Sequence, residues 1–180
     1  GPSGCLTSNS GEVRLQRCEL FYAMKTSASA ADAEVVDHKY VFPDNLPWLK
    51  GLAASFERYR FERISISWRP AVGTTTNGLI AYGVAWDVPS TAPTTREQVT
   101  ALTPVNDHPV WQSSQGSPLV PQSSRLHSRQ WYASSAEDTV DKAPCSIWMA
   151  MSATNISAKG SLVGEFWMTY DIILDGTKKA

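Results

Sequence analysis

Arg63-Ile-Ser-Ile-Ser-Trp-Arg69 is the stretch that decides the fold, because its side chains alternate strictly between polar and apolar types. Successive side chains of a β-strand point to opposite faces of the sheet. Ile64, Ile66 and Trp68 therefore share one face and are predicted to lie in the core, while the arginines and serines between them point outward. The pattern predicts a half-buried strand from Tyr59 to Trp68.

Seven further segments carry strand signals, and turn residues separate them at the spacing typical of sandwiches and barrels. Two of the seven are weak, and a Ser/Gln/Pro-rich loop at 113–124 lies between them. Together with the first strand they make eight. The seven segments are Glu12–Met24, Val35–Phe42, Leu79–Asp87, His108–Gln115, Ser124–Ala133, Ile147–Met151 and Leu162–Leu174.

Two of these strands have patterns that predict more than their existence. In Glu12–Met24 the apolar phase changes by one residue after Leu15, which predicts a bulge with Cys18, Leu20 and Tyr22 inward. In Leu79–Asp87 large apolar residues alternate with alanine and glycine. Small residues allow another layer to approach closely, so this strand is predicted to be central.

Two short helices are predicted in the connections. The three-and-four spacing of the apolar residues from Trp48 to Phe56 predicts a helix that ends near Tyr59. Residues 94–102 predict a second helix, with Thr95 as its N-cap. Eight strands with two short helical insertions predict an all-β fold, an antiparallel jelly-roll sandwich.

The length and composition fit a single soluble domain that folds without disulfides. The chain has 180 residues, of which 42% are hydrophobic and 18% charged, enough for one core. We predict a tag remnant and flexible arm over 1–11, the jelly-roll domain over 12–175 and a tail over 176–180. The net charge of -1 argues against a surface that binds nucleic acid everywhere, and no apolar run or leader predicts a membrane partner. The cysteines, three in number, fit buried free thiols.

Catalytic motifs are absent from the sequence, so no enzyme is predicted. Neither Ser117 nor Ser161 lies in the Gly-x-Ser-x-Gly pattern of a nucleophilic hydrolase. The three histidines, His38, His108 and His127, have no second histidine at metal-binding spacing.

Two aspartates and four arginines are the candidate binding residues. Asp87 and Asp107 each adjoin a predicted strand and are candidate ligands for a hard cation such as calcium, or simple turn caps. The four arginines are candidates for a patch that faces RNA, with solvated or ion-paired side chains as the alternative. They are Arg58, Arg60, Arg63 and Arg69.

The order of these signals resembles the shell domain of tombusvirus-like and sobemovirus-like icosahedral coat proteins. The most specific part is Leu46–Phe61, which is similar to that family's helix and following strand. The turn at Gly73–Gly78, the loop at Asp87–Pro93, the Trp131-Tyr132 pair and the closing strand then follow in the family's order.

This resemblance implies a viral coat protein whose copies assemble into an icosahedral shell around single-stranded RNA. It implies that a basic N-terminal arm, absent here, makes most of the RNA contacts, and that the protein occurs in the virion and, during assembly, in the host cytoplasm. It also implies calcium between subunits, although Asp87 alone remains of the family's loop aspartates. Exposed aromatic residues are expected to mark the contacts between copies. The candidates are Trp111, Trp131 and Tyr132.

Two other classes of protein fit parts of the same pattern. A jelly-roll carbohydrate-binding module would use its loop aromatics to stack on sugar rings. A trimeric extracellular signalling sandwich would need a leader or anchor and a receptor groove, and the sequence shows neither of them.

Overall fold

The computed structural model describes residues 4–7, 11–86, 91–127, 132–133 and 143–177, with 4–7 as backbone only. Within these ranges the chain forms nine strands, three short α-helices and a 3-10 turn at Pro43–Asn45. The helices are α1 (Pro47–Ala53), α2 (Arg96–Val99) and α3 (Ser123–Leu126). The strands are β1 (Gly4–Thr7), β2 (Val13–Lys25), β3 (Val35–Tyr40), β4 (Phe56–Pro70), β5 (Leu79–Ala85), β6 (Val105–Pro109), β7 (Tyr132–Ala133), β8 (Ser146–Met151) and β9 (Leu162–Thr177).

The strands form two antiparallel sheets. One has the order β1-β2-β9-β4-β7 and the other the order β3-β8-β5-β6. The chain crosses repeatedly between the sheets, which is the connectivity of a jelly roll. The all-β jelly-roll prediction is confirmed, and each of β2 to β9 overlaps one of the eight predicted strands, in the predicted order. Gly4–Thr7, predicted to belong to a flexible arm, pairs with β2 as an additional strand.

The core lies between the two sheets and is rich in aromatic side chains. Trp68 is fully buried and packs against Phe166, with ring centroids 4.8 Å apart, and its indole nitrogen donates to the Val110 carbonyl at 2.8 Å. Gly164 faces the same ring, and a Cβ at this position would lie 2.4 Å from Trp68 Cζ2. The predicted alternation along 63–69 is therefore confirmed, with Ile64, Ile66 and Trp68 buried.

The bulge in β2 is not where the sequence pattern placed it. The register shifts between Leu20 and Tyr22, so Phe21 is the extra residue. Leu15 and Glu19 both lie on the inner face, and Cys18 lies opposite the exposed Thr169. The inward assignment of Cys18 and Leu20 was wrong because a charged residue, Glu19, takes the inner position.

Other predicted boundaries also shift. The first helix ends at Ala53 and β4 begins at Phe56, so the helix is shorter than predicted. The weak strand at His108–Gln115 begins earlier, as β6, and ends at Pro109. Residues 123–126 form α3 instead of a strand. The central position of β5 is confirmed, and Thr95 caps α2 by accepting from Gln98 N at 3.2 Å.

Candidate assembly surfaces

The structure brings the four predicted RNA-facing arginines to one surface, the outer face of the five-stranded sheet. All four are on β4. Arg58 pairs with Asp175, and Arg60 pairs with Glu62 at 2.8 Å. Two of the four charges are therefore already balanced within the chain. Arg58 and Arg60 therefore fit the alternative prediction, in which the arginines form ion pairs within the chain.

Arg63 and Arg69 are placed differently. Arg63 lies opposite Asp171 in the β4–β9 register and is exposed. The Arg69 guanidinium stacks on the Trp167 indole, with its carbon 4.1 Å from the ring centroid, and one of its nitrogens lies 3.8 Å from Cys18 Sγ. Such a stack is a cation–π contact and orients the guanidinium along the sheet surface.

The outer face of the four-stranded sheet is closed by the chain itself. The small residues of β5, Ala81, Gly83 and Ala85, lie under α2 and Leu102. A Cβ at Gly83 would lie 2.9 Å from Leu102 Cβ. Trp148 belongs to the same layer and is only 6% exposed, with His38 stacked on it at 4.3 Å. This face offers little apolar surface to a partner.

A buried carboxylate, which the sequence analysis missed, positions α1. Glu19 is 6% exposed and its oxygens accept from Trp48 N at 2.6 Å, Leu49 N at 3.2 Å and the Tyr170 hydroxyl at 2.5 Å. Burial and the bond to Glu19 raise the pKa of Tyr170, so the hydroxyl keeps its proton and donates. The one available signal was a glutamate in an otherwise apolar stretch of β2.

Trp48, at the start of α1, is presented to solvent by this arrangement. Its side chain is 41% exposed, and Arg17 stacks over its ring with the guanidinium carbon 4.3 Å from the centroid. Glu19 therefore fixes the backbone of Trp48, and Arg17 contacts the face of its indole ring.

The end of the sandwich opposite α1 carries most of the large apolar side chains that stay exposed in the described residues. We call it the loop end, and it consists of loops 26–34, 71–78, 110–117 and 152–161 together with the strand residues that directly adjoin them. Of five large hydrophobic residues that stay exposed in the described ranges, three lie here: Leu79 (42%), Trp111 (40%) and Leu162 (40%).

Hydrogen bonds between loops fix the loop end. The Asn155 amide accepts from Asn77 N at 2.9 Å and donates to Thr75 O at 3.1 Å. Beside the five-stranded sheet, Thr26 N donates to Ser161 O at 2.9 Å and Thr26 Oγ1 donates to Ala158 O at 2.7 Å. The apolar side chains thus lie in or directly beside loops that are tied to one another, so they are preorganised for contact.

The three predicted interface aromatics have different positions. Trp111 is exposed at the loop end. Tyr132 is 3% exposed and packs beside Tyr59, so the expectation of an exposed ring is corrected: as part of β7, this side chain fills the core. Trp131 lies outside the described residues.

Only one of the two predicted cation ligands, Asp107, lies in the described residues. Asp107 forms an ion pair with Arg96, which neutralises its carboxylate, and Asp87 lies outside the described ranges. No group of three or more acidic, histidine or cysteine side chains suited to a metal occurs in the part of the chain that the structure describes.

A polar cleft lies beside β6, and its walls carry hydrogen-bonding groups. The Tyr82 hydroxyl contacts His108 Nε2 at 2.8 Å and Ser114 Oγ at 2.7 Å, and His108 Nδ1 contacts Pro109 O at 2.8 Å. Burial lowers the pKa of His108, which favours the neutral ring. These groups bond to each other and so hold the loop after β6 against the sheet.

Over the described residues, no helix combines the length and apolar character required of a membrane span.

Two viral capsid proteins are similar in sequence to parts of this chain. The capsid protein of oat chlorotic stunt virus is 34% identical over 68 residues, which cover 38% of this chain and 15% of that protein. The capsid protein of Pothos latent virus is 32% identical over 80 residues, covering 42% of this chain and 22% of the other. The matches thus span less than a quarter of either relative.

Structural similarity extends over the whole chain. The tobacco necrosis virus structure superposes with a TM-score of 0.84 at 17% identity, covering 99% of this chain and 89% of that one. At this identity the similarity shows the fold. The family model described as viral coat protein (S domain) matches residues 5–179, which favours the coat-protein prediction over a carbohydrate-binding module. The chain therefore belongs to the viral coat protein S-domain family, the shell domain of virus capsids.

Proposed function

We propose that copies of this domain pack through the loop end into a closed icosahedral shell around single-stranded RNA. Family membership supports the role of a capsid subunit in the virion. The observation that carries the choice of surface is that Leu79, Trp111 and Leu162, each at least 40% exposed, all lie in or directly beside the interlocked loops at one end of the sandwich. Symmetry repeats each contact many times, so modest interfaces are sufficient for a stable shell.

The outer face of the five-stranded sheet is the proposed RNA-facing surface within the domain. Among the described residues, Arg63 and Arg69 are the two predicted arginines with no carboxylate within ion-pair distance. With a net charge of -1, the domain itself supplies little attraction for a polyanion, so a basic arm preceding it makes the main contribution. The proposed site of assembly is the host cytoplasm.

In this proposal the contacts between copies rest on packing and not on calcium. Asp107 would have to leave Arg96 before both of its carboxylate oxygens could ligate a cation from a neighbouring subunit. Contacts between copies that rest on packing need no such rearrangement. We therefore expect shells that keep their sedimentation rate when a calcium chelator is added, whereas dissociation by the chelator would restore the calcium prediction.

Two equally exposed tryptophans provide the test of the loop-end surface. Trp111 lies at the loop end and Trp48 at the opposite end, with 40% and 41% exposure. We expect Trp111→Ala, in a full-length coat protein containing this domain and co-expressed with RNA, to reduce the yield of closed particles in electron microscopy much more than Trp48→Ala. Both variants should unfold at nearly the wild-type denaturant midpoint, because the rings are at the surface.

The result that contradicts the proposal is also specific. If the wild-type protein forms particles and Trp111→Ala forms them equally well, the loop end is not the assembly surface. If the wild-type protein stays monomeric at every salt concentration and pH, with RNA present, the assembly function itself is contradicted.

A further inference from the structure

The loop end contains an asparagine, Asn77, in a setting that favours its spontaneous deamidation. Asn77 is followed by Gly78 in the loop before β5, and Asn77 is exposed. In an Asn-Gly sequence the glycine amide nitrogen is not shielded by a side chain, so it can approach the asparagine side-chain carbonyl carbon. We propose that Asn77-Gly78 is a site of spontaneous deamidation, and that its products alter the loop end.

The reaction needs only water and a base strong enough to remove the Gly78 amide proton. The amide nitrogen of Gly78 attacks Cγ of Asn77, a C–N bond forms, the bond to the side-chain nitrogen breaks, and ammonia leaves. Water then opens the cyclic imide on either side, giving aspartate or isoaspartate. The isoaspartate product carries its main chain through Cγ, one methylene longer than before.

The surroundings of Asn77 leave both reacting groups free. Among the described residues no group is hydrogen-bonded to the Asn77 side chain, and no acceptor holds the Gly78 amide nitrogen. The contacts recorded for the pair involve other atoms: Asn77 N donates to Asn155 Oδ1 at 2.9 Å, and Gly78 O accepts from Val110 N at 3.1 Å. The loop is held while the nucleophile and its target remain unbonded.

The other described asparagines provide internal controls. The Asn45 amide donates to Tyr40 O at 2.7 Å, the Asn106 amide to Ser117 O at 3.0 Å and the Asn155 amide to Thr75 O at 3.1 Å. Each of these three is followed by a residue with a side chain. A held amide and a shielded nitrogen both oppose cyclisation, so reaction is expected at Asn77 alone of these four.

The products would alter the surface on which the proposed function rests. Asn77 N donates to Asn155, the residue that ties loop 71–78 to loop 152–161. Gly78 directly precedes the exposed Leu79 and has φ of +129°, a conformation that favours glycine. An added carboxylate and a lengthened backbone here place charge beside an apolar contact surface and loosen the loop that carries it.

Peptide mapping by mass spectrometry tests the chemistry without reference to assembly. The folded chain is incubated at neutral and at mildly alkaline pH, and the –NH2 to –OH mass shift is followed at every asparagine, with isoaspartate detected by enzymatic methylation. We expect Asn77 to convert several-fold faster than Asn45, Asn106 and Asn155, faster at higher pH, and not at all in Asn77→Gln on the same timescale.

Failure of this proposal is distinguishable from failure of the proposed function. Conversion of Asn77 in the denatured chain but not in the folded one would overturn the deamidation site, whatever the protein assembles into. Asn77→Asp, made in the full-length coat protein, then tests the consequence: particle yield should fall relative to Asn77→Gln. If the aspartate variant assembles like the glutamine variant, the effect on the loop end is refuted while the chemistry stands.

Discussion

The outer faces of the two sheets of this sandwich differ in whether the chain itself covers them. Over the four-stranded sheet the chain places its own α2 and Leu102 against alanines and glycine. The five-stranded sheet has no such cover among the described residues, and its outer face carries arginines, carboxylates and Trp167. The comparison teaches that small residues along a strand mark a layer supplied by the chain, while charges mark a face left to solvent or partners.

Two tryptophans test this comparison with the largest expected effect. Trp148, on the covered face, is 6% exposed, whereas Trp167, on the open face, is partly exposed under Arg69. Trp148→Ala leaves a cavity under α2 and should lower the free energy of unfolding by about 3–5 kcal/mol. Trp167→Ala loses mainly a cation–π contact, worth about 0.5–1 kcal/mol at an exposed site.

Denaturant unfolding of both variants, followed by circular dichroism, provides the measurement. Equal losses would mean that the two faces are packed alike, and the contrast between the sheets would have to be given up.

A second contrast lies within the five-stranded sheet, between a carboxylate on its inner face and one on its outer face. Glu19 accepts three hydrogen bonds in a buried position, whereas Glu165 accepts one, from Trp167 Nε1 at 3.2 Å, and is partly exposed. Glu19→Gln replaces an acceptor by a donor facing N–H and O–H groups and should cost about 1–3 kcal/mol. Glu165→Gln should change stability by less than about 0.5 kcal/mol.

Hydrogen exchange shows where the loss occurs. The amide hydrogens of Trp48 and Leu49, which donate to Glu19, should exchange faster in Glu19→Gln than in the wild-type protein. In Glu165→Gln their exchange rates should not change. Unaltered protection of α1 in the first variant would show that the carboxylate does not hold the helix.

The regular parts of the fold could be predicted from the sequence because they depend on periodicity. The alternation along 63–69 decided which side chains are buried, and the small residues of β5 indicated a central strand with close neighbours. The fold class follows from eight such segments. These signals are local and repeat several times, so errors at single residues do not change the result.

The exceptions are residues whose burial depends on a distant partner. Glu19 points inward because the backbone of α1 and Tyr170, 151 positions away, satisfy its oxygens. Tyr132 is buried because two residues of β7 pair with β4. Likewise, the pairing of Arg58 with Asp175 joins strands that are adjacent only in the sheet. None of these contacts leaves a periodic trace in the sequence.

The smallest effect concerns the ion pair on the open face. The Arg58 side chain is 49% exposed, and its Nε donates to Asp175 Oδ2 at 2.6 Å. Arg58→Gln should cost about 0.2–1 kcal/mol at low ionic strength, because the half-exposed Arg58 side chain gains little from the pair over its hydration. Arg63→Gln, which breaks no ion pair recorded in the described residues, should cost less.

Salt separates the electrostatic contribution of this pair from side-chain packing. At about 1 M salt the Debye length falls to about 3 Å, so the stability difference between Arg58→Gln and Arg63→Gln should nearly vanish in unfolding curves. Asp175 is 8% exposed, and a carboxylate left without its partner at that depth loses solvation that salt does not restore. A difference that persists in high salt would therefore show that Arg58 stabilises the β4–β9 contact by compensating the buried charge of Asp175. The outer face of the five-stranded sheet would then be partly shielded from solvent near Asp175.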